Sequence, residues 1–267
     1  MRTERYNAKS NASGASRFSG LKVLLFDLGD TLVQYYLREE FPPLLRAGIQ
    51  AVRRSLRRAG HEVPSDSEIE RVVAAENHEA RNYRVRPLHK RLGRIFRVAN
   101  TVSDEEWLPI CRAFLDPIFA VAKIYEETLS ALDDHLADGY RIGILSNCPW
   151  GAPSQPWFEE LHLHGLSTRS EVAIFCSDMG WRKPAQPMFR RALAHFACKP
   201  EECLIVGDNP RWDTLGARRA KMTSVLIDRT GQTEVSSDLA IRSLLDLKPI
   251  LKRLRSASSS ISGELAA

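Results

Sequence analysis

Five short apolar runs, each leading into polar residues, constrain this chain more than any other feature: Lys22-Val-Leu-Leu-Phe-Asp27, Arg141-Ile-Gly-Ile-Leu145, Val172-Ala-Ile-Phe-Cys176, Cys203-Leu-Ile-Val206 and Ser224-Val-Leu-Ile227. Runs that are apolar at every position, rather than at alternate ones, suit strands covered on both faces. Amphipathic stretches of helical length lie between the later runs, and that alternation is the pattern of a parallel sheet wrapped by helices. The expected fold is therefore α/β, a doubly wound parallel sheet.

The helices can be read one by one. Thr128, Leu129, Leu132 and Leu136 recur at helical spacing before Gly139, which supplies a left-handed cap. Pro184 followed by Met188, Phe189, Leu193 and Phe196 predicts a helix opened by proline in its first turn, with Lys183 at the helix entrance. Between Val33 and Tyr125 the strand pattern disappears. Phe41, Leu44, Leu45, Ile49, Val52 and Leu56 repeat helically, while Arg53, Arg54, Arg57 and Arg58 form a solvated face. Leu88, Leu92, Ile95 and Phe96 mark another helix, and Ser103-Asp-Glu-Glu106 is a capping box ahead of Trp107, Ile110 and Phe114. The expected organisation is a tail over 1–20, an α/β core over 21–33 plus 126–254, a helical insertion over 34–125, and a second tail over 255–267.

Composition narrows the partners. A hydrophobic share of 43% and a charged share of 27% belong to an ordinary globular chain of 267 residues. No run approaches the roughly 20 apolar residues that a bilayer demands, so no membrane partner is expected. The net charge of +5 is modest and its arginines are dispersed, so nucleic acid is not the expected partner either. The Ser-, Ala-, Asn- and Arg-rich opening segment reads as a disordered tail in preference to an organelle transit peptide. Cys111, Cys148, Cys176, Cys198 and Cys203 show no metal-knuckle spacing and are expected as reduced thiols in the cytoplasm. Trp150 and Trp181 are expected to pack, and His162 and His164 to lie on the surface.

Four polar clusters each follow an apolar run: Asp27 with Asp30 and Thr31, Ser146 with Asn147, Asp178 leading to Lys183, and Gly207-Asp208 with Asp213. Taken singly, each has a bland explanation as a turn or cap residue. In an open parallel sheet, however, residues at the strand ends on one side converge on a binding crevice. The segments Phe26-Asp-Leu-Gly-Asp-Thr-Leu32, Leu145-Ser-Asn147, Arg182-Lys-Pro184 and Val206-Gly-Asp-Asn-Pro-Arg-Trp-Asp-Thr-Leu-Gly-Ala217 resemble, in order, the four motifs of the haloacid dehalogenase superfamily. The helical insertion between the first and second motifs resembles subfamily I, with its C1-type cap, and the likeness spans about residues 21 to 230.

That resemblance implies a Mg²⁺-dependent phosphatase acting on a small phosphorylated metabolite. Asp27 is the implied nucleophile, forming an aspartyl-phosphate that water hydrolyses. Asp27, the carbonyl of Gly29, Asp208 and the supporting Asp213 are the implied Mg²⁺ site. Lys183, Thr31, Ser146 and Asn147 are implied to hold the phosphate, with Lys183 also neutralising charge beside Asp27. One departure matters: the family's phosphatases carry a second aspartate two residues after the nucleophile as general acid and base, and Gly29 stands there. Asp30, one place later, is the nearest candidate for that role. The departure leaves open a binding or regulatory protein with impaired catalysis. The dehalogenase branch also lacks the second aspartate, but it carries an aromatic residue at this position and uses no metal.

Overall fold

The computed structural model describes residues 20–76, 82–231 and 239–253. Both expected tails lie outside the described residues, apart from Gly20. Along the described residues the chain runs β1 (Val23–Phe26), β2 (Val33–Gln34), α1 (Phe41–Arg58), α2 (Asp66–Ala75), α3 (Leu88–Phe96), α4 (Asp104–Phe119), β3 (Lys123–Ile124), α5 (Thr128–Ala137) and β4 (Arg141–Ser146). It continues through α6 (Gln155–Leu163), β5 (Val172–Phe175), α7 (Cys176–Met179), α8 (Gln186–Phe196), β6 (Cys203–Gly207), α9 (Leu215–Arg219), β7 (Thr223–Ile227) and β8 (Ala240–Ile241).

Six strands form one parallel sheet in the order β5-β4-β1-β6-β7-β8. The five apolar runs are five of these strands. Every residue of β1 and of β6 is buried, as unbroken apolar runs require when helices cover both faces. The sixth strand, β8, is only two residues long and pairs through Leu226↔Ala240 and Ile227↔Ile241. From β1 the sheet grows outward to β4 and β5, then the chain crosses to β6 on the other side of β1. The strand order therefore reverses at β1, and the crevice beyond its carboxyl end is where such sheets bind ligands.

The helices α1 to α4 lie between β2 and β3, which pair antiparallel through Val33↔Ile124 and Gln34↔Lys123. This two-stranded ribbon at the root of the insertion departs from the purely helical pattern expected there, because two-residue strands leave no periodicity to read. The α1 stripe of Gly48, Ile49, Val52 and Leu56 is buried, while Arg54, Arg57 and Arg58 are exposed and Arg53 pairs with Asp66 at 2.5 Å. At the start of α4 the capping box is formed, with Glu106 Oε2 accepting from Ser103 N at 2.9 Å and from Ser103 Oγ at 2.8 Å. The insertion touches the core beside Lys183. Val85 N donates to Gly180 O at 3.1 Å, Arg182 N donates to Tyr83 O at 2.8 Å, and the Arg84 guanidinium lies 3.6 Å from the Trp181 ring centroid.

The α5 helix ends as expected, with Gly139 in the left-handed region at φ +85°. One helix start is corrected. The α8 helix opens on Gln186 with Pro187 in its first turn, whereas Pro184 precedes the helix and follows a cis peptide from Lys183. Both prolines satisfy the first-turn preference, and the apolar repeat from Met188 onward begins after both, so periodicity does not choose between them. Lys183 thus sits on the connection ahead of the helix and not at its entrance. No helix of the described residues is long and apolar enough to cross a membrane.

Candidate active site

Each motif residue reaches the crevice because a strand ends there. Asp27 directly follows β1, and its backbone N–H extends the β1–β6 ladder by donating to Val206 O at 2.9 Å. Ser146 is the last residue of β4, and Asp208 follows Gly207 at the end of β6. Beyond Asp208, a single π-type turn over Pro210–Thr214 carries Asp213 inward, where only 1% of its surface stays exposed. Asn209 starts that turn by accepting, through its side-chain oxygen, from the N–H groups of Arg211 and Trp212, each at 3.1 Å. Gly207 is required by close approach, since a Cβ there would lie 2.4 Å from Asp213 Oδ2.

Lys183 is the electrostatic hub. Its ammonium is buried, donates to Asp213 Oδ1 at 2.6 Å and forms an ion pair with Asp27 Oδ1 at 2.8 Å that lacks hydrogen-bond alignment. Burial alone would lower its pKa, but the charges of Asp213 and Asp27 outweigh that and hold it well above the ordinary lysine range. Asn147 anchors this lysine: its Oδ1 accepts from Lys183 N at 2.9 Å and its Nδ2 faces Lys183 O at 3.5 Å. The Asn147 amide is therefore engaged by the Lys183 backbone through its oxygen and through one N–H of Nδ2.

The carboxylates of Asp27, Asp208 and Asp213 each place an oxygen within 4.8 Å of the others. Asp213 is pushed up to about 6, first by burial and then by Asp27, against the pull of Lys183. Asp208 is pushed well above the carboxylate range by burial, then by Asp27, Asp213 and Asp30. Among the described residues no ion pair or hydrogen bond compensates its side chain. Three carboxylates against one ammonium leave the cluster short of positive charge. Clustered oxygen donors with unbalanced charge fit a hard divalent cation such as Mg²⁺.

Other expected residues occupy the same rim. Thr31 is fully buried and its hydroxyl has no hydrogen-bond partner among the described residues. Ser146 is also buried. Gly29 bridges to Val33, and a Cβ at position 29 would meet nothing nearer than Tyr35 Cδ2 at 3.8 Å, so crowding does not impose this glycine. Asp30 takes a left-handed φ of +55° and part of its side chain meets solvent. The protein packed around its carboxyl, then the charge of Asp27, push it up to about 6 against Arg229.

Sequence reasoning missed Arg229 and Glu127. Arg229 Nη2 donates to Thr31 O at 2.8 Å, and its Nη1 donates to Glu127 Oε1 at 2.7 Å. No local pattern announces a lone arginine just past a strand. The helix-starting role of Asn209 had a signal in its Asn-Pro dipeptide. Trp150 packs as expected, 5% exposed, with its ring centroid 5.4 Å from that of Phe114. His162 is exposed, while His164 is partly buried and lies 3.4 Å from Glu160.

The parallel sheet with its reversal at β1, the helical insertion after the first strand, and the Asp27–Lys183–Asp208–Asp213 constellation define a haloacid dehalogenase-type α/β protein. A family model described as HAD-hydrolase-like matches residues 180–247. The chain is 32% identical over 132 residues to a glyceraldehyde 3-phosphate phosphatase of Methanothermobacter thermautotrophicus, covering 49% of this chain and 56% of that protein. It is also 32% identical over 127 residues to a phosphoserine phosphatase of Thermus thermophilus, covering 46% and 49%. The chain thus spans about half the length of these curated relatives. A 2-haloacid dehalogenase structure from Pseudomonas syringae pv. Tomato superposes with a TM-score of 0.61 at 22% identity, covering 87% of this chain and 99% of that one, which speaks for the fold alone.

Proposed function

We propose that the protein is a Mg²⁺-dependent phosphohydrolase that cleaves a small phosphorylated metabolite through an aspartyl-phosphate on Asp27. The observation that carries this reading is the Asp27 carboxylate, 2.8 Å from Lys183 and within 4.8 Å of Asp208 and Asp213. A carboxylate alone repels a phosphate dianion, and this one has a fixed cation beside it and donors for a second. Asp27, Asp208, Asp213 and the Gly29 carbonyl would hold Mg²⁺, which when bound supplies the charge neutralisation that phosphoryl transfer needs.

In the first step an Asp27 oxygen forms a bond to phosphorus as the bond to the leaving oxygen breaks, and that oxygen takes a proton. In the second, water attacks the aspartyl-phosphate, regenerating the carboxylate and releasing inorganic phosphate. Lys183 and the hydroxyls of Thr31 and Ser146 face the phosphoryl oxygens, and the helical insertion excludes bulk water. Asp30, raised to about 6, is the candidate proton carrier in place of the aspartate that Gly29 lacks. The phosphatases among the sequence relatives support phosphate esters as the substrate class. The buried acidic cluster disfavours a metal-free dehalogenase. Five free cysteines fit a reducing compartment such as the cytoplasm.

A second reading, a phosphate-binding or regulatory protein with impaired turnover, is favoured by one observation: position 29 has room for a Cβ and carries no side chain. The deciding experiment is phosphate release from p-nitrophenyl phosphate and a panel of phosphorylated metabolites. Activity is expected with Mg²⁺, lost with chelator, and lost almost wholly in Asp27→Asn. Undiminished turnover by Asp27→Asn defeats the nucleophile assignment, and binding without turnover across the panel favours the second reading.

A further inference from the structure

Three consecutive carbonyls follow the nucleophile loop, and each is held from outside it. Arg229 donates from Nε to Asp30 O at 3.3 Å and from Nη2 to Thr31 O at 2.8 Å. Leu32 O accepts from Tyr125 N at 3.3 Å and from Thr128 Oγ1 at 2.8 Å. The third arm of Arg229, Nη1, donates to Glu127 Oε1 at 2.7 Å, and that oxygen also accepts from Ser243 Oγ at 3.2 Å. The guanidinium stacks 3.4 Å from the Tyr125 ring centroid. One permanently charged planar fork thus ties the loop after Asp27 to residues 125–127, where the chain returns from the helical insertion.

The clamp fixes peptide planes, not only atoms. In a trans peptide the C=O and N–H point in opposite directions. The plane between Thr31 and Leu32 has its carbonyl on Arg229 and its N–H on Leu28 O at 2.9 Å, so it is held at both ends. The preceding residue, Asp30, has the left-handed φ of +55° that non-glycine residues seldom adopt. An outside tether on its carbonyl favours that conformation. Thr31, whose buried hydroxyl has no partner among the described residues, lies between these two planes.

We infer that Arg229 is a positioning residue: it sets the loop that carries Asp27, Asp30 and Thr31, and couples that loop to the return strand of the insertion. The inference rests on the phosphohydrolase reading of the site for its catalytic consequence, but the clamp itself can be tested without turnover. Among the described residues no hydrogen bond or ion pair joins Arg229 to Asp27, so its hold on the nucleophile runs through the backbone. A lysine cannot reproduce the fork, because it offers a single point of charge.

The test uses the full chain as wild type, Arg229→Lys, Arg229→Gln and Arg229→Ala, measuring melting temperature, kcat and KM on p-nitrophenyl phosphate with Mg²⁺, and amide hydrogen exchange. In Arg229→Gln, kcat is expected to fall about tenfold to a hundredfold, the scale of a small misplacement of reacting groups, while KM changes much less. Peptides covering 28–35 and 123–128 are expected to exchange faster well below the melting transition. Arg229→Lys should recover only part of kcat, and millimolar guanidinium should restore part of it to Arg229→Ala. A kcat within about twofold of wild type in Arg229→Gln, or a loss explained by the unfolded fraction with exchange unaltered, overturns the inference. If the wild type releases no phosphate, the phosphohydrolase reading fails, and unaltered exchange in Arg229→Gln then overturns the clamp independently.

Discussion

Replacing Asp208 with asparagine tests the proposed cation site without recourse to activity. At the 4.8 Å limit separating the three carboxylates, two unit charges repel by about 3 kcal/mol at an effective dielectric of about 20. Asp208 faces two such neighbours, Asp27 and Asp213, and both of those already share Lys183. The chain need not bear the whole repulsion, because Asp208 can take up a proton on folding, at a cost of about 1.4 kcal/mol for each pH unit above its unfolded value near 4. Near pH 8 the net relief in Asp208→Asn is therefore expected at roughly 1 to 3 kcal/mol, which for a chain of this size raises the melting temperature by about 3 to 10 °C in chelator. The sign of the pH dependence follows. A carboxyl whose folded pKa is raised leaves the folded state fully favoured only below its unfolded value near 4, and stability is lost as pH rises through the folded value. The gain should accordingly vanish toward pH 4. Millimolar Mg²⁺ should stabilise the wild type by mass action and leave Asp208→Asn nearly unmoved. Thermal melts at pH 4.5 and 8, with chelator and with Mg²⁺, read all of this. A lower melting point for the variant in chelator at pH 8, or an undiminished response to Mg²⁺, refutes the reasoning.

Two further substitutions probe what the sequence leaves ambiguous. Gly29→Asp should fold, since its Cβ meets nothing nearer than 3.8 Å, and should raise kcat on poor leaving groups by about tenfold or more if a missing proton carrier limits the rate; an unchanged kcat would show that Asp30 or another group already serves. His135, buried with both ring nitrogens unpartnered among the described residues, is pushed down to about 4 mainly by burial. Its folded pKa lies below the unfolded value near 6.5, so its neutral form favours folding above that pH, and the benefit is lost as pH falls from about 6.5 to 4, by up to about 3 kcal/mol. His135→Phe should move the acid-unfolding midpoint, followed by circular dichroism, to lower pH; an unshifted midpoint would count against the assignment.

The elements that were legible in the sequence are those whose burial leaves a dense local signature. β1, β4, β6 and β7 each bury a continuous apolar run and β5 buries half of its own; the ends of β1, β4 and β6 deliver Asp27, Ser146 and Asp208 to one rim, and the connection beyond β5 and α7 brings Lys183 there. β8 was not legible because two residues, Ala240 and Ile241, carry no pattern, and the β2–β3 ribbon was hidden for the same reason. The start of α8 was misplaced because two prolines, Pro184 and Pro187, make the same local argument and only the tertiary course of the chain separates them. Asn147 illustrates a different limit. Its place in the motif was read correctly, yet whether its amide meets a ligand or the Lys183 backbone depends on a contact across 36 positions of sequence.

Arg229 and Asp208 together explain why the charged residues of this rim divide into two kinds. Arg229 gives three of its five N–H donors to fixed protein acceptors, two loop carbonyls and the Glu127 carboxylate, and lays its plane on the Tyr125 face. Such engagement rigidifies a loop. Asp208 is the opposite case, a partly buried carboxyl surrounded by Asp27, Asp213 and Asp30, with Lys183 acting in its favour. Folding alone gives no reason to keep that arrangement, because an asparagine would fill the same space without the repulsion. An unsatisfied charge held in place by satisfied neighbours is the arrangement expected where the missing partner is a cation that arrives from solution.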